Sequence, residues 1–324
     1  MAAAVLSYCK VIDKLTTAKK NEPERSRILE LPTWLLIIAV YAGWFSTTWY
    51  AMTLPLWILL PMAAWFAGWY YSLQHEVIHG HPTSTRWIND LIGFVPLNLV
   101  IPYPIYRSSH IRHHTRENLT LPGIDPESFY FDAESWRKMP RLLRAIHVAN
   151  NSLVGRLVIG PAMAAILFWL SEIRLIRQGD YTHVSTWLIH FVLVAGVLYW
   201  VSAICGMPIW LYVLAFAYPG FALTLMRSYI EHRDAANPDH RTAIVECQTL
   251  LGILYLYNNL HAAHHEVPSL PWYKLPEYYA ERRDQILEKN GGYIFRGYRN
   301  VIRHYLFAPI HFPMISKSVP ADQA

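Results

Sequence analysis

Two long stretches of this 324-residue chain contain no Asp, Glu, Lys or Arg: Leu31 to His75 and Tyr181 to Met226. Charged residues make up only 16% of the sequence and hydrophobic residues 53%. Soluble domains carry about 25% charge, so this shortage excludes an ordinary soluble fold. Cysteine is scarce too. Cys9, Cys205 and Cys247 lie far apart, which excludes both a disulfide framework and a thiolate metal site. The N-terminal segment lacks the basic-then-apolar order of a cleaved signal peptide and reads as a polar leader. Internal repeats and low-complexity tracts are absent as well. The net charge of +5 is not gathered into a stripe on a polar surface. The basic residues flank apolar runs, so the expected partner is an anionic lipid leaflet and not nucleic acid.

What is present are the runs themselves. A membrane-spanning helix needs about 20 apolar residues, so each run holds two. The breaks fall at "MTLPL", where Pro55 can open a helix, and at "CGMP" around Gly206 and Pro208. The expected fold is an all-α integral membrane protein. Its spans are near 33–53, 56–76, 186–204 and 208–227, forming two hairpins, with a helical cap and interfacial helices on the cytoplasmic side. The 13 Trp and 21 Tyr suit aromatic belts at the membrane interfaces. All 28 Lys and Arg lie outside the two runs and none falls in a hairpin turn. By the positive-inside rule both chain ends and the loop between the hairpins face the cytoplasm. The domain reading is a leader at 1–30, a membrane domain at 31–280 and a cytosolic tail at 281–324. Residues 150–174 are apolar, but Arg156 and Pro161 interrupt them. They read as an interfacial or re-entrant helix. Residues 243–259, with Glu246, read as a buried or interfacial helix.

Histidine is the other signal. Sixteen are present, and most fall in "HEVIHGH" (75–81), "HIRHH" (110–114) and "HAAHH" (261–265). On a helix, positions i, i+3 and i+4 share a face, so each H-x-x-H-H string points three imidazoles one way. His75 and His79 add two more. Neutral imidazole ligates Fe, Zn, Cu and Ni. Eight imidazoles exceed the four ligands of one zinc and suit two metals. The topology brings the three clusters to one membrane face, and His232 in "RSYIEHR" is placed as a ninth ligand. His81 falls off the shared face and is expected in a loop or supporting role. Asp90, Asp125, Glu127, Glu231 and Glu266 lie near enough in sequence to orient imidazoles through their second nitrogens.

"HEVIH" also matches the H-E-x-x-H zinc-protease pattern, and "NPDH" (237–240) resembles the aspartate motif of intramembrane zinc proteases. That reading leaves two H-x-x-H-H strings unexplained, and it places Asp239 in the charged string "EHRDAANPDHR" where a buried apolar helix is required.

The three boxes and the additional His resemble the membrane fatty acid desaturase superfamily. So do the flanks "RWINDLIGFVP", "GIDPESF" and "NNLHAAHHEVPSLPWYKLP". The likeness runs from about 35 to 280. It implies a non-haem diiron oxygenase with metal ligands His75, His79, His110, His113, His114, His232, His261, His264 and His265, no bound organic cofactor, and O2 as co-substrate. In related acyl-CoA desaturases an Asn four residues before the additional His holds a metal-bound water. Here that position is Ser228, and the role does not transfer. No cytochrome b5 domain is recognisable, so electrons are expected from a separate ferredoxin, rubredoxin or cytochrome b5-type donor. The expected reaction is desaturation of an apolar acyl chain entering from the bilayer. Hydroxylation or ketolation of a carotenoid is the alternative, since "GIDPESF" also resembles the β-carotene ketolases. Trp57, Trp65, Trp69 and Tyr70 are candidates to line an acyl channel.

Overall fold

The computed structural model describes residues 29–315, so most of the expected leader lies outside the described residues. Four helices are long and apolar enough to cross a membrane. They are α1 (Leu31–Trp49), α2 (Leu56–Ile78), α9 (Val184–Tyr199, continued by a π turn to Ile204) and α10 (Ile209–Glu231). Each lies within a few residues of its expected span. Pro55 caps α2 in an extended conformation, as its fixed φ allows. Gly206 takes φ +66° in the turn between α9 and α10, a conformation that costs a glycine little. The outward faces of α1 and α9 leave Leu35, Ile38, Leu188 and Val192 exposed, as lipid contact requires. The protein is an all-α integral membrane protein.

α2 and α10 form the centre. Gly220 lets them approach closely, because a Cβ there would meet the Ala67 side chain at 2.5 Å. Leu59, Ala63, Ala67 and Leu73 pack in one core with Tyr212 and Phe216. Two buried side chains of this core are linked by hydrogen bonds. Trp44 Nε1 donates to the Tyr212 hydroxyl at 2.9 Å, and Tyr212 donates to the Leu97 carbonyl at 2.6 Å.

The connections build a cap over one end of this pair. After α2 come α3 (Arg86–Gly93), α4 (Tyr103–His113), α5 (Ala133–Lys138), α6 (Arg141–Asn150), α7 (Leu153–Val158) and α8 (Gly160–Arg177). After α10 come β1 (Ile244–Val245), α11 (Leu250–Leu254), α12 (His261–Glu266), α13 (Leu275–Lys289), β2 (Ile294–Phe295) and α14 (Tyr298–Tyr305).

Two expectations change here. Residues 243–259 are not one helix. β1 pairs in parallel with β2, and the Glu246 carboxylate is held by Tyr279 and Arg283 of α13. Only the short α11 follows, stopped where Leu256 and Tyr257 take positive φ. A long-range strand pair and a surface ion pair thus override the apolar run. The boundary expected at 280 falls inside α13, and the chain beyond it packs into the same core through Tyr293, Phe295 and Val301. Residues 150–174 are broken between α7 and α8, and α8 is not among the candidate spans.

Candidate metal centre

The three boxes occupy helix ends. His75 lies in the last turn of α2 and His79 caps it. His110 and His113 close α4, with His114 as its cap. α12 consists largely of the third box. His232 follows α10, where the chain turns to extended backbone. α4 is fixed by buried Asp90, which accepts from Tyr103 at 2.9 Å and pairs with Arg107 at 3.3 Å. Asp90 therefore positions the helix and does not touch an imidazole.

Nine imidazoles converge as two groups: His75, His79, His110, His114 and His264; and His113, His232, His261 and His265. Within each, the ligand atoms lie within 4.8 Å of one another. In the first, Nε2 separations are 3.1 Å (His79–His110), 3.0 Å (His110–His114) and 3.3 Å (His114–His264). In the second they are 3.0 Å (His113–His232), 3.0 Å (His232–His261) and 3.1 Å (His261–His265). The groups adjoin: the rings of His114 and His265 stack with centroids 4.2 Å apart.

Such crowding of lone pairs calls for a cation. With metal–nitrogen bonds of about 2.1 Å, neighbouring ligands at right angles sit about 3.0 Å apart, against about 3.4 Å for a tetrahedron. The observed spacings match the right-angled case more closely. An all-imidazole donor set suits iron, zinc, copper or nickel.

The second ring nitrogens are partly tied down. His113 Nδ1 donates to Asp125 (2.9 Å) and His110 Nδ1 to Glu127 (3.1 Å). His261 Nδ1 lies 3.0 Å from Asn258 Oδ1 and 3.2 Å from Glu231. A proton on Nδ1 leaves Nε2 as the lone pair facing the group's centre. Glu266, also expected in this role, accepts instead from Tyr278 and Lys289.

In the metal-free protein burial pushes His114, His232, His261, His264 and His265 well below the ordinary histidine range, and lowers His110 as well. These rings are neutral, as ligands must be. Burial also works against charge on His113, but Glu127, Asp125 and Glu231 outweigh it and raise His113 to about 9. Burial opposes charge on Glu127 too, yet His110 and His113 pull it down to about 2.

Asn258 and Arg227 are functional candidates that sequence reasoning missed. Asn258 spans the two groups, with Nδ2 3.1 Å from His75 Nε2 and Oδ1 facing His261. Its place three residues before the third box was the available signal. Arg227 pairs with Glu231 inside α10, behind His261. Ser228 donates to the Leu225 carbonyl at 3.3 Å.

His81 lies apart, with Nδ1 2.7 Å from Glu30. Glu76 accepts from the Trp272 amide at 3.0 Å. Asp239 pairs with Arg116 on a surface turn.

A cavity of about 410 Å³ opens onto the centre. His110, His113, His232 and His261 form one wall; Ile105, Phe129, Leu167, Phe168 and Phe221 make much of the rest apolar. Trp57, Trp65, Trp69 and Tyr70 do not line it. Trp57 is 76% exposed, while Trp69 donates to the Ile253 carbonyl and Tyr70 to the Gly93 carbonyl.

The fatty acid desaturase family matches residues 47–297, three quarters of the chain and every histidine of the two groups. The chain belongs to the fatty acid desaturase family. Among curated proteins, this chain is 29% identical over 89 residues to an sn-1 oleoyl-lipid 12-desaturase of Anabaena variabilis. The likeness covers 26% of this chain and 24% of that relative. Four apolar helices and two histidine groups that could hold metal accord with that membership.

Proposed function

We propose that this chain is a dioxygen-dependent membrane desaturase that introduces a C=C bond into a fatty acyl chain. Two non-haem iron ions would be held by His75, His79, His110, His114 and His264, and by His113, His232, His261 and His265. The observation that carries this reading is the pair of adjoining imidazole groups opening on one mainly apolar cavity. The family match and the Anabaena relative support desaturation over hydroxylation.

The balance is simple. Two hydrogens leave adjacent carbons, one O2 is consumed with two electrons and two protons, and two waters form. Bound irons would supply the activation of dioxygen and the oxidising power for unactivated C–H bonds. The chain supplies the rest. Asp125, Glu127, Glu231 and Asn258 orient the imidazoles. Phe129, Phe168 and Phe221 hold hydrocarbon and exclude water from the cavity. Electrons come from a separate ferredoxin, rubredoxin or cytochrome b5-type protein. The centre and both chain ends face the cytoplasm, in keeping with hairpin turns that lack Lys and Arg.

Metal analysis of the purified protein, with lipid profiling of expressing cells, tests this. About two irons per chain and new double bonds in the acyl chains are expected. One zinc per chain, retained in a His113→Ala, His264→Ala variant and lost in His75→Ala, would sink the reading and favour a zinc hydrolase.

A further inference from the structure

The cavity wall holds a charge that dioxygen chemistry does not use. Arg156, in α7, is 1% exposed and is the largest fully buried side chain among the described residues. Its guanidinium lies 4.3 Å from the Phe129 ring centre and 5.6 Å from that of Tyr229. Nε and Nη2 have no hydrogen-bond partner, and no carboxylate pairs with the group, among the described residues.

The other buried arginines have a carboxylate or carbonyl partner, although Arg107 Nε and Nη1 also make no hydrogen bond. Arg107 faces Asp90, Arg227 faces Glu231, and Arg241 donates to the carbonyls of Ala235, Glu117 and Leu119. A buried guanidinium is normally paired because its unmet donors and charge are costly. Two aromatic faces offset only part of that cost. Burial lowers the Arg156 pKa to about 9, the mark of a cation without an anion beside it.

Arg156 lines the same cavity as His113, His232 and His261. We propose that Arg156 anchors the head group of the substrate: the cavity takes a single-chain amphiphile whose oxyanion, a carboxylate or a phosphate, pairs with this guanidinium while its hydrocarbon lies along Leu167, Phe168 and Phe221. Guanidinium geometry favours bidentate binding of such an oxyanion. The cavity volume of about 410 Å³ is near the small end of ligand pockets, about 300–1,000 Å³, which favours one chain over two. This inference rests on the cavity being the substrate site of the proposed desaturase.

The test is competition against radiolabelled oleate on the iron-loaded protein in phosphatidylcholine nanodiscs. The competitors are oleate, 1-oleoyl-lysophosphatidate and oleyl alcohol, and the proteins are wild type, Arg156→Lys and Arg156→Gln. Wild type should bind an oxyanion-headed probe at least about tenfold more tightly than the alcohol, which shares its chain. Arg156→Gln should bring that ratio near one and Arg156→Lys should keep part of it. The tighter of oleate and lysophosphatidate then names the head group. A wild type without preference, or a preference that survives in Arg156→Gln, overturns the proposal. The wild-type comparison with the alcohol decides the matter if Arg156→Gln does not fold. Iron counted on the same samples separates the two claims. An oxyanion preference on a protein that holds zinc and no iron keeps the anchor and removes the diiron reading.

Discussion

The two histidine groups of the centre are not equivalent. One offers five imidazoles, the other four. In the smaller group two imidazoles meet carboxylates: His113 is tied to Asp125, and His261 lies against Glu231. In the larger group His110 meets the half-buried Glu127. The smaller group also faces the cavity with three of its four rings, the larger with His110 alone. The group with fewer nitrogens therefore combines a smaller donor set, neighbouring negative charge and access to the cavity. The five-histidine group is closer to a closed shell. The difference between the groups thus lies in donor number, neighbouring charge and access to the cavity.

Removing one histidine from each group should expose this difference most strongly. His232→Ala leaves three imidazoles, and we expect one of two irons to be lost. Turnover should fall by roughly a thousandfold or more, since a metal contributes several kcal/mol to its transition state. His79→Ala leaves four, and two irons should be retained with a smaller loss of turnover. Metal counts per chain with turnover on the same preparations check this. Equal metal loss in both variants would remove the distinction.

The acid support comes next. Asp125→Asn should lower metal affinity or activity by about 10–100-fold, the usual effect of losing a carboxylate behind a histidine ligand. Glu127→Gln should fall at the low end of that range, because Glu127 is more exposed and supports the larger group. Competition with a chelator of known affinity measures both.

Metal loading should also depend on pH with a definite sign. His113 carries a proton up to about pH 9 in the metal-free protein, and that proton must leave when a metal binds. This one group makes affinity rise about tenfold per pH unit between 7 and 9. Asp125→Asn should flatten the slope. Stability of the metal-free protein runs the same way. His110, His114, His232, His261, His264 and His265 have folded pKa values below the unfolded 6.5. The unfolded chain thus takes up more protons as pH falls through 6.5, and stability drops. His113 acts oppositely: its contribution is full below 6.5 and lost towards 9. Six groups outweigh one, so the Tm of metal-free protein should fall between pH 7.5 and 5.5. A Tm that holds or rises over that interval would show the rings are not buried and neutral.

The sequence made the convergent histidines legible because helical spacing alone puts i, i+3 and i+4 on one face, and the apolar helices legible because charge is missing from them. Contacts between distant segments were not legible. Arg156 reads in sequence only as an interruption of an apolar run. Its ring partners Phe129 and Tyr229 come from other segments. Asn258 lies in an irregular stretch after two positive-φ residues, where no periodicity points a side chain anywhere. Asp90 and Glu266 lie close in sequence to the boxes yet serve Arg107 and Lys289. Proximity along the chain does not decide which side of a loop a carboxylate takes.

The smallest expected effect sharpens the comparison from outside both groups. Glu76 sits between His75 and His79 in the H-E-x-x-H string, where a zinc protease would place its general base. Here its carboxylate is buried and accepts from the Trp272 amide, tying α2 to the segment after the third box. Glu76→Gln keeps an acceptor at that oxygen. It should lower desaturation by less than about tenfold and leave two irons per chain, since losing part of one charge-assisted hydrogen bond costs about 1 kcal/mol. A general base cannot be replaced by an amide, so a hydrolase would be nearly silenced by the same change. Iron content and turnover of Glu76→Gln, measured beside Asp125→Asn, therefore separate a carboxylate that holds two segments together from one that sets the electronics of a ligand.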